Sequence, residues 1–358
     1  MTKRGPLTDS KACAGRVKRS LVAAGVFVAT AVVVSALLSG CGGAGGGGGA
    51  SIHAAGDTQT YDTGGGNPSF TMIYAPGGLT FPTGITNEDG DQTVACSFWI
   101  GETEVPYELW VLVRTWAVEG ISGTGAGKYT ILSGTEGDGD GDTPQHPVTE
   151  ISWRDAMVWT NALTEYCNAN AGTSLGCVYK DGGIPIRDSS NATLCDGATP
   201  DASASGFRLL TSNEWELTAR YIGTTAPSTG NDLDTEVETT NVSGTTYYWT
   251  PGEYASGAAD NVENLSATSA VAWWGESSDG STHIVKDTAN ISPNGLGLYD
   301  MSGNVNEWCF TLIDTTSRVL RGGSYNHTDG NIALGTVFWN NPGNTNILFG
   351  FRVARNAN

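Results

Sequence analysis

Apolar and polar positions along this chain set out a few regular elements among long irregular stretches. Phe70-Thr71-Met72-Ile73 reads as a strand, and Phe98–Val105 as a second strand or hairpin arm. Ser152-Trp153-Arg154-Asp155 is a capping box opening a helix to about Cys167, with Ala156, Trp159, Leu163 and Tyr166 on its inner face. Phe207–Leu210 reads as a short strand. Thr211-Ser212-Asn213-Glu214 then caps a second helix through Tyr221, with Trp215, Ala219 and Ile222 inward. Near the end, Val319–Ser324 (VLRGGS) is a strand entering a glycine corner, and Gly350–Ala354 alternates as a closing strand does. The interior between them has neither a helical nor a strand period. It is rich in Asn and aromatics, and Arg318–Arg355 contains no Lys, Glu, Gln, Met or Cys. Strands on both sides argue that this long loop is functional and not disordered.

The N-terminus has a different pattern. Residues 1–20 are basic, and Leu21–Leu38 is an apolar run that ends in Leu38-Ser39-Gly40-Cys41. This resembles a bacterial lipoprotein signal, in which small residues admit the peptidase and the Cys thiolate receives lipid. It implies a signal peptide over residues 1–40, lipidation at Cys41 and anchoring to the outer membrane or cell surface. A transmembrane anchor is the alternative for the apolar run. Residues 41–66 are rich in Gly, Ala, Ser and Thr and read as a flexible tether, which leaves 67–358 as the folded domain.

Charge then narrows the class. The chain holds 18 basic and 37 acidic residues; six basic and one acidic lie in residues 1–40, so the remainder carries 12 − 36 = −24. That excludes nucleic acid as a partner and excludes charge-driven adhesion to anionic lipid. Asp138, Asp140 and Asp142 have calcium-loop spacing, but Thr143 and Thr149 stand where Gly and Glu are required, so the stretch reads as a solvated acidic loop. Five cysteines remain after Cys41: Cys96, Cys167, Cys177, Cys195 and Cys309. Cys177 and Cys195 bracket an insertion and are the best candidate pair. The odd count leaves at least one thiol free, and the connectivity stays open.

A family resemblance rests on collinear motifs: GETEV at 101–105, HPVTEISWRDAMVW at 146–159, GFRLLTSNEWELTARY at 206–221, PNGLGLYDMSGNVNEW at 293–308, then RGGSY and GFRVAR. Together these resemble the formylglycine-generating-enzyme (sulfatase-modifying factor) family over roughly residues 69–355. The resemblance implies an α+β, C-type lectin-like fold with a twisted mixed or antiparallel sheet, two main helices and much irregular loop. It also implies structural calcium at Ser302–Trp308, with Asn304 and Glu307 giving side chains and Val305 a carbonyl. The alternative for Glu307 is an internal hydrogen bond or salt bridge.

The aerobic enzymes of the family use two cysteines just after the RGGS turn. Here Tyr325-Asn326 follow, and no Cys lies beyond Cys309. Related iron enzymes need a histidine cluster, whereas this chain offers only His53, His146, His283 and His327. The expectation is therefore a protein that is not an enzyme and has no redox cofactor.

Arg318–Arg355 in turn resembles the variable region of proteins diversified by retroelements, where template adenines make Asn codons the main targets of change. Tyr325, Asn326, His327, Thr328, Asp329, Asn331, Ile332, Phe338, Asn340, Asn344, Asn346, Ile347 and Leu348 fit such codons; Trp339 needs another origin, such as an Arg codon. The resemblance implies that 318–355 is a ligand-binding segment of a surface-displayed lipoprotein. Its partner would be a protein or glycan, on another cell or a host. The binding residues would be the same positions without Ile332 and with Trp339, exposed on a frame of Arg321, Gly322, Gly323, Phe351 and Arg352. Two alternatives remain: a sulfatase-modifying-factor-like enzyme with altered chemistry, and a structural envelope lipoprotein.

Overall fold

In a computed structural model, residues 53–120, 127–137, 143–227 and 237–357 are described. The signal, Cys41 and the acidic loop Asp138–Asp142 lie outside them. Strands Thr58–Tyr61, Phe70–Ala75, Phe98–Gly101, Val353–Asn356 and Phe207–Leu209, in that spatial order, form an antiparallel five-stranded sheet. A second, mixed sheet carries Phe338–Asn340, Arg318–Arg321, Asn306–Leu312 and Phe349–Gly350, the last pair parallel. The α+β, lectin-like expectation is met, with a chain rich in turns between short elements.

Both capping boxes form. The Ser152 side chain accepts from the Asp155 N–H at the start of helix Trp153–Asn170, and Thr211 accepts from the Glu214 N–H at the start of helix Ser212–Arg220. The second helix ends one residue early, so Ile222 is half-buried on a following strand instead of inward on the helix. A third long helix, Tyr107–Glu119, was not expected. It follows Pro106 with no side-chain cap, and its run of Val and Leu is as compatible with a strand.

Part of the expected tether is folded. Thr58–Tyr61 pairs with Phe70–Ile73, and Tyr61 is buried with its ring stacked on Phe70 at 4.9 Å. Thr and Tyr favour a pleated edge, which outweighs the Gly-rich surroundings.

The main core lies between the five-stranded sheet and the helices Tyr107–Glu119 and Trp153–Asn170. Trp110 and Trp159 stack at 5.4 Å, and Phe351 meets both edge-on at 5.9 and 5.5 Å. This aromatic, between strands Phe349–Gly350 and Val353–Asn356, therefore ties the chain's end to two helices. A second cluster surrounds Trp215, and a small third one gathers Ala255, Val271 and Trp274 with Ile332 and Ala333. Cys167, Cys177, Cys195 and Cys309 are free and buried, so the expected Cys177–Cys195 bond is not made. Each thiol is directed elsewhere, Cys177 to the Asn161 carbonyl and Cys195 to that of Asp188.

Candidate functional site: a loop face on an arginine frame

Three arginines of the flanking motifs hold the loop. Arg318 lies 3.8 Å above the Trp153 ring. Arg321 donates to Glu216 at 2.7 Å, to Ser212 Oγ at 2.9 Å, and to the carbonyls of Leu334 and Thr336 in mid-loop. Arg352 donates to Glu307 and to the carbonyls of Gly101, Glu102, Tyr299 and Asp300. Such forked, fully buried guanidinium groups fix several backbone segments at once. Gly322 and Gly323 turn the chain with φ of 90° and 72°. A Cβ on Gly323 would stand 2.6 Å from the Asn331 carbonyl oxygen. Only glycine fits both the left-handed backbone and that approach.

From this frame the loop emerges as two exposed lobes with a buried strap between them. Asn326, Thr328, Trp339, Asn344, Asn346 and Ile347 are exposed, Trp339 by 57% and Ile347 by 52%. His327, Asp329, Asn331, Phe338, Asn340 and Leu348 are half-buried. Tyr325 alone of the thirteen expected binding positions is buried, and Ile332, read as a codon-compatible position, is fully buried too.

Partners from other parts of the chain account for both. The Tyr325 N–H donates to the Asn304 carbonyl at 2.9 Å, and its own carbonyl accepts from Ser278 Oγ at 2.8 Å. Ile332-Ala333-Leu334-Gly335 is a continuous apolar run, which sequence reasoning overlooked as a core signal. It enters the third cluster, and Leu334 and Gly335 donate to the carbonyls of Tyr254 and Gly252. The His327 and Phe338 rings stack at 5.0 Å and so join the first lobe to the second. Burial pulls the His327 imidazole below its ordinary pKa, leaving it neutral near pH 7.

Under the first lobe lies a buried polar hub. Asn304, at φ 52°, donates to Glu104 Oε2 at 2.7 Å and accepts from the His283 N–H at 2.9 Å. The Val305 N–H donates to Glu104 Oε1 at 3.0 Å. Glu307 accepts from Arg352 and, at 2.9 Å, from the Trp215 indole N–H. The Asn304 and Glu307 side chains, expected with the Val305 carbonyl to hold calcium, therefore do not fit it. Both Glu307 oxygens are held by Arg352, and the Asn304 amide is spent on Glu104 and His283. Hard-cation ligation needs oxygens free to converge, and the internal salt bridge is the reading the geometry bears. Burial, then the neighbouring Asp300 and Glu307, push Glu104 well above the carboxylate range. Burial also raises Asp300 to about 6.

The order of these elements and their motifs can be set beside known proteins. Residues 63–357 match the sulfatase-modifying factor enzyme 1-like domain. The chain belongs to that family. Among solved structures, this sulfatase-modifying-factor-like chain is similar to Treponema denticola variable protein 1. Identity there is 27% and the TM-score 0.57, over 84% of this chain and 99% of the other. It is similar to CarF at 27% identity and TM-score 0.57, over 80% of this chain and 98% of that one. A sequence relative, chaperone protein LppX of Paenibacillus barcinonensis, is 24% identical over 281 residues, 76% of this chain and 84% of LppX. The likeness to variable proteins that Arg318–Arg355 implied thus has a solved counterpart with the same fold.

Proposed function

We propose that this family member is a lipid-anchored, surface-displayed binding protein whose ligand face is the two-lobed loop between Arg318 and Arg355. The observation that carries the reading is the exposure pattern. Twelve of the thirteen candidate positions are exposed or half-buried, while the flanking arginines, Gly322, Gly323 and Phe351 are buried. A position that accepts Asp, Phe or Gly in turn cannot sit in a core, because a buried charge or a lost side chain costs several kcal/mol. The exposed Trp339, half-buried Phe338 and short polar neighbours suit adaptable contacts, as antibody loops do. Likeness to a solved variable protein supports the same reading.

The reading is non-catalytic. No cysteine follows Cys309, and burial pushes the Cys167, Cys177 and Cys195 thiols up to about 12, far from the thiolate that cysteine oxidation requires. The test is the flanking DNA. A reverse transcriptase beside a near-copy of the 3′ end, differing at template adenines, is expected. A sulfatase operon without such a copy would favour the enzyme reading.

A further inference from the structure

Beneath the second lobe, beside the exposed turn that follows Leu312, lies a cleft of about 180 Å³. Two guanidinium groups line it, those of Arg154 and Arg318, with one carboxylate, Asp196. Asp196 holds Arg154 in a two-pronged pair, with Nε at 2.8 Å and Nη2 at 2.7 Å, so that charge is answered. Arg318 instead faces the rings of Trp153 and Phe310, at 3.8 and 5.0 Å, and has no paired carboxylate among the described residues. Its Nη1 donates to the Phe310 carbonyl at 2.6 Å and its Nη2 to the Asp196 carbonyl at 3.0 Å. Its Nε is buried with no acceptor. Among the described residues no carboxylate makes an ion pair with Arg318, and its residue exposure is only 2%.

A buried cation without a counter-charge is costly, and an incoming anion would relieve that cost. Burial accordingly pulls the Arg318 pKa down to about 10, with Asp196 opposing the shift and Arg154 adding to it. This locally basic cleft sits on a domain whose surroundings are strongly acidic.

The loop borders the cleft through Asn341 and Pro342, next to two of its codon-compatible positions. Asn340 lies opposite Arg318 across the strand pair, and Asn344 donates to Asn340 Oδ1 at 2.7 Å. Asn341 and the exposed Thr315 and Thr316 supply further amide and hydroxyl groups. Leu312 and Pro342 add apolar surface to the lining.

We propose that the cleft is a fixed anion subsite of the ligand face and takes the carboxylate of an acidic sugar. This rests on the loop being the ligand face. A carboxylate would bring the counter-charge that the two guanidinium groups outnumber, and the Thr315, Thr316 and Asn341 groups can bond the hydroxyls of a polyol. The arginines stay constant while Asn340 and Asn344 are positions compatible with diversification. The subsite would therefore hold one shared handle while the surroundings change.

The experiment titrates the full chain with glucuronic acid, with glucose and with a glutamate-rich peptide, by saturation-transfer NMR and calorimetry. Thr315→Trp fills the mouth from an exposed turn without touching the core; Arg154→Gln removes one guanidinium, and thermal melts check that both variants fold. Glucuronic acid is expected to bind about tenfold or more tighter than glucose, and each variant to lose that preference with its melting temperature kept. Absent glucuronic acid binding, equal binding of glucose, or binding untouched by Thr315→Trp overturns the subsite. Preference for the peptide overturns the sugar assignment. None of these titrations uses a ligand of the variable positions, so their failure leaves the binding reading standing, while absence of diversification in the flanking DNA would leave the glucuronic acid result unchanged.

Discussion

Asp300→Asn should stabilise the protein above neutral pH and do nothing in acid. Asp300 sits at φ 57° and is buried; its Oδ2 accepts from the Lys286 N–H at 2.8 Å, while its Oδ1 has no partner. Glu104 and Glu307 share its surroundings, with Arg352 as the counter-charge, and Arg352 is already paired to Glu307. Burial raises the Asp300 pKa from 3.8 to about 6. That rise of about 2 units corresponds to about 3 kcal/mol.

The sign follows from proton counts. Between roughly pH 4 and 6 the folded state holds a proton that the unfolded state has released, so stability falls as pH rises through that window. Above it, the folded chain carries a desolvated carboxylate. Asn removes that charge, keeps an oxygen for the Lys286 N–H, and tolerates the left-handed backbone better than most residues. Thermal and urea unfolding of both proteins at several pH values checks this. The variant should gain up to about 3 kcal/mol near pH 8 and match wild type near pH 4. A difference that does not vary with pH, or a loss near pH 8, refutes the reasoning. A divalent cation bound at the hub would hold Asp300 ionised and reverse the profile.

Three further outcomes are expected. Gly323→Ala should cost at least about 2 kcal/mol, from the left-handed backbone and the 2.6 Å approach to the Asn331 carbonyl, whereas Asn344→Ala should stay within about 0.5 kcal/mol in the same melts. A tight chelator should leave the melting temperature unchanged, since Glu307 and Asn304 are committed to protein partners; a clear drop would restore a calcium role through mass-action linkage. Cys41→Ser should block lipidation and move the protein out of the detergent phase, and unchanged partitioning would count against anchoring.

What the sequence made legible was local chemistry. Ser152 with Asp155 and Thr211 with Glu214 are capping signals that act within one helical turn, and both form. The closing strand expected over Gly350–Ala354 is instead split: Phe351 and Arg352 link strand Phe349–Gly350 of one sheet to Val353–Asn356 of the other, Phe351 entering the core and Arg352 the ion-pair hub. What stayed hidden depended on distant partners. Tyr325 is buried because Asn304 and Ser278 reach it from elsewhere in the chain. Glu307 looked like a ligand because nothing nearby announces Arg352 or Trp215. The strap Ile332–Gly335 is an apolar run in the sequence, and Ile332 within it fits both a core position and a diversified codon. The Arg318 cleft could not be read at all, since Arg154, Asp196 and Thr315 meet only in the fold.

The most direct test is a displayed library of this chain in which Asn326, Thr328, Trp339, Asn344, Asn346 and Ile347 are drawn together from residues that an Asn codon can become. Protease resistance reads folding without any ligand. Most members should resist as the parent does, because these side chains are exposed, while the same treatment of Ile332, Leu334 and Phe351, all fully buried, should leave almost none. If the exposed set proves as intolerant as the buried one, the loop is a structural element and not a ligand face.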